Sequence, residues 1–267
     1  MSSFEPFVDI HCHLVPGVDD GATSWEQALA MARIAAGDGI GTVIVTPHQL
    51  GAFSHNTGDL IRTRTDELQQ FLDSHHVPLQ VLPGGDVRIE PGLAEGLHAG
   101  RVLSLADHRK HVLLELPHEL YFPLEEVIES LHRLRLVGIL SHPERNKGLL
   151  KQPHLIQPLV ARGCLMQVTC GSLLGAFGPA PRQLAEWMLR EGLVHFLATD
   201  AHGPSSRRPL MRRAFERTVE LVGQEVAVCV CCHNPAAVAE GRDVPAMGGP
   251  RRSRSFFASL FRRQAAA

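Results

Sequence analysis

The chain has 267 residues, 44% of them hydrophobic, and a formal net charge of −2. That length accommodates two small domains or one large unit with a sizeable core, and the near-neutral balance offers no general field for nucleic acid. Neither a secretory start nor a run of roughly 18 apolar residues is visible, so a cytoplasmic protein without a membrane span is expected.

Histidine is over-represented: there are 16, against one Tyr and two Trp. The first two stand together. Phe7 to Ile10 reads as a short apolar strand, and His11 and His13 follow it two residues apart. Strand alternation turns both imidazoles one way and Cys12 the other, which makes half of a metal site. Pro16-Gly17-Val18-Asp19-Asp20-Gly21 is a turn-rich loop. Ser24 and Gln27 form a capping box for a helix to about Ala36.

Thr42 to Thr46 is a β-branched, buried strand with His48 just past its end. A helix is predicted over Asp59 to Ser74, then a strand over Leu79 to Leu82 leading through Gly84-Gly85 to Asp86. His111 to Leu116 is a fourth strand, interrupted by Glu115. A helix over Glu125 to Leu136 precedes a fifth strand, Val137 to Ser141, capped by His142. Residues 154–162 read as helix, Cys164 to Thr169 as a sixth strand, and Arg182 to Glu191 as another helix. Val194 to Thr199 is the seventh strand, with Asp200 and His202 at its end. Helices near 210–222 and 235–240 close the domain, the latter with Asn234-Pro235 as cap and first turn.

Strands alternating with helices predict an α/β fold with a parallel sheet and right-handed crossovers, closed or nearly closed into a barrel. Six of the seven strands carry His, Asp or Glu at or just past the C-terminal end, the rim where barrel enzymes collect their chemistry. The rim set is His11, His13, Asp20, His48, Asp86, Glu115, His142, Asp200 and His202. Nine nitrogen and oxygen donors exceed one tetrahedral site and suit two or three divalent metals, with zinc, manganese or iron the fitting ions. Clustered metals make hydroxide available and clamp both oxygens of a displacement at phosphorus. Arg145 and Arg207 are placed to add fork-shaped phosphate contacts.

Cys12, Cys164, Cys170, Cys229, Cys231 and Cys232 do not read as a disulfide framework, and the C-x-x-C formed by Cys229 and Cys232 reads as buried structural thiols. No cysteine has Arg six residues on, which disfavours a cysteine-dependent phosphatase. From about Asp243 the composition turns basic and Phe-bearing, Arg251 to Arg263 above all. That tail, 243–267, reads as a disordered appendage to a domain over 1–242, with weak contact to an anionic membrane surface as the sharper alternative.

D-I-H-C-H-L-x-P-G-V-D-D-G, T-P-H, L-L-E, S-H-P-E-R-N, Q-V-T-C-G-S-L-x-G, H-F-L-A-T-D-A-H and R-R-P-L-M follow one another across about residues 7–242. In that order they resemble the metal-dependent protein tyrosine phosphatases of bacterial capsule and exopolysaccharide gene clusters. That family belongs to the polymerase and histidinol phosphatase (PHP) superfamily. The resemblance implies a distorted seven-stranded barrel and a three-metal centre. It puts His11, His13, Asp86 and Asp200 on one metal, and Glu115 and His142 on a second that Asp86 bridges. Asp20, His48 and His202 fall on the third, and Arg145 and Arg207 on the phosphate-binding arginines. It further implies direct attack by metal-bound hydroxide on the phosphotyrosine tail of a bacterial kinase of polysaccharide export. The family usually has Glu at the position of Asp86, a second His at Gln49 and Asn at Gly203. A small-molecule phosphoesterase, such as a histidinol phosphatase, and a metal-binding regulator with little turnover are the competing readings.

Overall fold

The computed structural model describes residues 5–245. The basic tail and its membrane contact therefore lie outside the described residues from 246 onward.

Strand β1 covers Phe7–Cys12 and is followed by helix α1, Trp25–Asp38. Ser24 caps α1 by accepting from Gln27 N, a bond worth about 1 kcal/mol. The return bond of the expected capping box is displaced by one residue: Gln27 Oε1 accepts from Thr23 N rather than from the cap itself. Gly39 ends the helix at φ +101°, a left-handed conformation that glycine tolerates.

β2 is Ile40–Val45 and β3 only His48–Gln49, with α2 at Gly58–Ser74. β4 is Gln80–Pro83, β5 Asp86–Arg88 and α3 Leu93–His98. β6 (His111–Glu115), α4 (Glu125–Arg133) and β7 (Val137–Ser141) follow. Short helices α5 (Lys147–Lys151) and α6 (Ile156–Ala161) lead to β8, Leu165–Thr169. Then come α7 (Cys170–Leu173), α8 (Pro179–Arg190) and β9 (Phe196–Ala198). The described chain closes with α9 (Arg212–Val222), α10 (Gln224–Val228), a π-helical turn over Cys229–His233 and α11, Asn234–Ala239.

All strand pairs are parallel, in a three-stranded sheet β1-β2-β4 and a six-stranded sheet β3-β5-β6-β7-β8-β9. Two of the seven expected strands, Thr42 to Thr46 and Leu79 to Leu82, are thus each followed by a further short strand in the other sheet. Thr46-Pro47 separates β2 from β3, and proline has no N–H for the ladder. Gly84-Gly85 separates β4 from β5, and a Cβ at Gly85 would stand 2.4 Å from Gln49 Oε1. Gln49 is a tie of the fold: its amide donates to Asn56 O and Arg101 O, and its carbonyl accepts from Leu103 N. The edges β1 and β9 meet through a Cys12–Ala201 bridge, with Asp200 N donating to His11 O at 2.7 Å.

The core divides in two. A smaller cluster takes side chains from most strands, including Val8, Ile10, Ile44, Leu113, Ile139 and Phe196. The larger cluster takes alternate strand residues with the apolar helix faces.

The C-terminal region departs from the sequence reading. Asn234 is no helix cap: its backbone is helical, and helical structure runs unbroken from Gln224 to Ala239. Pro235 cannot donate to the preceding turn, and the wide π turn just before it absorbs the missing bond. Cys231 and Cys232 are buried there, as structural thiols should be, while Cys229 is half-buried.

Candidate metal centre

β1 delivers the histidine pair as alternation over residues 11–13 predicts, but next to an irregularity that the sequence does not show. Val8 and Ile10 belong to the small apolar cluster, whereas Cys12 belongs to the large one, so the face alternation breaks once between them. The β1–β2 register shifts between Asp9 and Cys12. Past that shift both imidazoles face one point, with His11 Nε2 3.2 Å from His13 Nε2.

Each ring is oriented from behind. His13 Nδ1 donates to Asp19 Oδ2 at 2.7 Å, and His11 Nδ1 lies 2.9 Å from Gln167 Oε1. A carboxylate only accepts, so His13 carries its proton on Nδ1 and turns the Nε2 lone pair inward. Asp19 also accepts from His48 N and Gly21 N, which folds the turn-rich loop over the site. Gly21 has to be glycine, because a Cβ there would lie 2.3 Å from His13 O.

The remaining strand ends complete the cluster. Asp86, at the start of β5, is wholly buried, and neither carboxylate oxygen has a hydrogen-bond partner. Its Oδ2 is 3.5 Å from His11 Nε2 and 3.4 Å from His48 Nδ1. Glu115 Oε2 stands 3.5 Å from His48 Nδ1, and Glu115 Oε1 3.8 Å from His142 Nε2. Asp200 Oδ1 is 3.3 Å from His11 Nε2 and 3.6 Å from His13 Nε2. Asp20 Oδ1 lies 3.5 Å from both His48 Nε2 and His202 Nε2.

These spacings distinguish a metal cradle from a hydrogen-bond network. A four-coordinate ion with bonds of about 2.1 Å holds its donors about 3.4 Å apart, whereas charge-assisted hydrogen bonds close to about 2.8 Å. Four groups of donors lie mutually within 4.8 Å: His13/Asp20/His48/His202, His11/His142/Asp200, His11/His13/Asp86 and His48/Asp86/Glu115. All nine rim residues are used, and several are shared between groups. His48 sits nearer Asp86 and Glu115 than the family-based grouping implies.

The local electrostatics favour positive charge here. Burial opposes a charge on His11, yet Asp200 and Asp86 lift its pKa to about 9. Burial, then the neighbouring Asp86 charge, pushes Glu115 up to about 8, so this carboxyl calls for a cation to ionise at neutral pH. Burial first, then the neighbouring His202 and His48, hold His13 down at about 4 despite Asp19, leaving it a neutral donor. The residues present fit divalent metals.

Both arginines converge on the opposite side of Asp200. Arg145 Nη1 donates to Asp200 Oδ2, and Arg207 Nη2 forms an ion pair with the same oxygen. His142, Asp200 and Arg207 all have left-handed backbones, at φ +33°, +50° and +46°. Such conformations cost on the order of 1–3 kcal/mol each and concentrate at functional sites. In H-P-E-R-N the residues divide the work: His142 and Arg145 face the site, Glu144 accepts from Thr169 N, and Asn146 caps α5.

Sequence reasoning overlooked several contacts. Asp19 is hidden beside Asp20, and Gln167 looks like one polar interruption of a strand. Phe53 stacks on His48 at 5.2 Å, and Phe177 lies 4.2 Å under the Arg145 guanidinium. His118 Nε2 is 3.1 Å from Arg145 Nη2. A paired Asp in an H-x-H loop is the one such signal the sequence offers.

The model of the capsular polysaccharide synthesis family, CpsB/CapC, matches residues 7–240. The chain belongs to that family. It is 36% identical over 202 residues to the tyrosine-protein phosphatase YwqE of Bacillus subtilis, covering 75% of this chain and 79% of that protein. It is 30% identical to the putative tyrosine-protein phosphatase CapC of Staphylococcus aureus, over 78% of this chain and 82% of that one. A crystal structure from work on YwqE of B. subtilis and CpsB of Streptococcus pneumoniae, described as unique metal-dependent tyrosine phosphatases, superposes with a TM-score of 0.87. It is 30% identical and covers 92% of this chain and 100% of its own. Among the described residues, no helix is long and apolar enough to cross a membrane.

Asp19→Asn should weaken metal binding or turnover by roughly 10- to 100-fold, since losing the partner of a ligating imidazole frees its tautomer and orientation. Metal titration followed by kcat measurement checks this; an unchanged affinity would show that Asp19 serves the loop alone.

Proposed function

We propose that this member of the CpsB/CapC family is a metal-dependent protein tyrosine phosphatase. Its substrate is the phosphotyrosine tail of a bacterial kinase of polysaccharide export, and it acts in the cytoplasm. The observation that carries the reading is the convergence of nine donor residues, among them Asp200, whose other oxygen meets two arginines. The architecture is a distorted seven-stranded barrel of PHP type over residues 1–242, counting β2–β3 and β4–β5 as interrupted strands and β1 as closing on β9.

Two or three divalent ions, manganese, iron or zinc, would be held by His11, His13, Asp20, His48, Asp86, Glu115, His142, Asp200 and His202. When bound they supply an activated water and Lewis-acid stabilisation of phosphoryl oxygens. Arg145 and Arg207 grip the non-bridging oxygens through charge-assisted N–H bonds, and Asp200 sets the direction of both forks. Water attacks phosphorus in line with the tyrosine oxygen, and the P–O bond to that oxygen breaks. Phenolate has a parent pKa of about 10 and leaves with less acid assistance than an alkoxide.

No protein nucleophile is required. Cys12 is buried in the large apolar cluster, and burial holds its thiol well above the usual range. The deciding experiment compares kcat/KM on phosphotyrosine peptide, phosphoserine peptide and histidinol phosphate with each metal restored, alongside Cys12→Ser. The phosphotyrosine peptide should lead and Cys12→Ser should retain turnover. Preference for histidinol phosphate would overturn the substrate, and a dead, metal-replete Cys12→Ser enzyme the mechanism.

A further inference from the structure

The Arg145 guanidinium is held on three sides. Nη1 donates to Asp200, Nη2 lies 3.1 Å from His118 Nε2, and the ring of Phe177 backs the plane at 4.2 Å. Arginine has no acceptor, so His118 Nε2 accepts and its proton sits on Nδ1.

The loop carrying His118 is itself tied to the residues just after Arg145. Asn146 Nδ2 donates to Pro117 O at 2.8 Å and to Leu120 O at 3.0 Å, and Lys147 N donates to His118 O at 2.9 Å. The segment after β6 and the segment after β7 are thereby locked as one unit, with imidazole and guanidinium facing each other inside it. His118 also stands edge-on to His142, with ring centroids 5.3 Å apart.

We propose that His118 is a positioning residue for phosphate capture, fixing the Arg145 fork before substrate arrives; the proposal rests on the phosphatase reading. A free arginine loses side-chain freedom when it grips an anion, and one already fixed loses little. Each terminal nitrogen has two N–H groups. One on each is used by Asp200 and His118, and the second of each remains to meet a phosphoryl oxygen. His118 thus acts through Arg145 and not on the leaving group, so its removal should appear in substrate and phosphate affinity and spare kcat.

The test uses His118→Ala, His118→Gln, His118→Phe, Arg145→Ala and the double variant His118→Ala/Arg145→Ala, all metal-replete by elemental analysis. KM and kcat are measured on phosphotyrosine peptide, and the Kd of inorganic phosphate by calorimetry. His118→Ala should raise both KM and the phosphate Kd about tenfold, the scale of one lost hydrogen bond to a charged group, with kcat within about threefold. His118→Gln, whose Oε1 reaches the position of Nε2, should restore both to within about threefold, and His118→Phe should not. In the Arg145→Ala background, adding His118→Ala should change little, because residues acting as a unit are not additive.

Multiplicative effects in the double variant, a fall in kcat with KM unchanged, rescue by Phe as good as by Gln, or loss of metal from His118→Ala would each overturn the role. Were the unsubstituted protein to hydrolyse none of the esters, the phosphatase reading would fail. The phosphate Kd series would still decide whether His118 positions Arg145.

Discussion

His11→Ala is expected to lower turnover by about a thousandfold or more while the protein stays folded. His11 Nε2 lies 3.2 Å from His13, 3.3 Å from Asp200 and 3.5 Å from Asp86, and it belongs to two of the four donor groups. Its loss leaves two buried carboxylates facing each other without the imidazole between them. Roughly 4 kcal/mol of lost charge stabilisation at a metal-assisted step corresponds to about three decades in rate. The fold does not depend on that ring. The backbone carbonyl of His11 still accepts from Asp200 N, and Asp9 still binds Thr199 through N–H and hydroxyl. Measured kcat, metal content and a thermal melt separate the effects. Turnover within tenfold of the parent at full metal load would mean that the metal ligands lie elsewhere.

Much of this centre is legible in the sequence because most of the candidate ligands stand where an apolar strand ends. His48 after T-V-I-V-T, His142 after V-G-I-L-S and Asp200 after H-F-L-A-T need no alignment to be noticed. The first pair converges as alternation over residues 11–13 supplies, with Cys12 turned into the large cluster, but the run from Val8 does not set which side the pair takes. Ile10 and Cys12 should share a face and do not, and the irregular register of β1 between Asp9 and Cys12 marks where the alternation slips. Such a shift is set by what β1 pairs with, β2 on one side and residue 201 on the other, which lies far off in sequence.

The same cause hides the contacts around Arg145. His118, Phe177 and Asp200 approach it from three separate loops, and no periodicity links positions 118, 145, 177 and 200. The two further short strands, β3 and β5, are of another kind. Pro47 and Gly84-Gly85 are breakers by residue type, yet a turn signal does not say that the chain leaves one sheet and enters another. That step places His48 and Asp86 as register partners on β3 and β5, and so brings their side chains within 3.4 Å.

Stripping the metals should abolish turnover and also lower the thermal midpoint by on the order of 10 °C. Four carboxylates and five imidazoles crowd this centre, and not all of their donor atoms have a hydrogen-bond partner. Both oxygens of buried Asp86 lack a hydrogen-bond partner. The Nε2 atoms of His11 and His13 stand 3.2 Å apart, with Asp19 holding the proton of His13 on its far nitrogen. An ion that binds only the native state at about a thousandfold over its Kd stabilises it by about 4 kcal/mol. For a chain of this size each kcal/mol moves the midpoint by roughly 2–4 °C. The measurement is calorimetry on chelator-treated protein, verified metal-free, followed by separate return of manganese, iron and zinc. The midpoint should recover with the same ions that restore turnover, because one set of donors accounts for both. An unchanged midpoint in verified metal-free protein would mean that these donors are satisfied by one another, and the 3.2–3.8 Å spacings would then need an origin other than coordination.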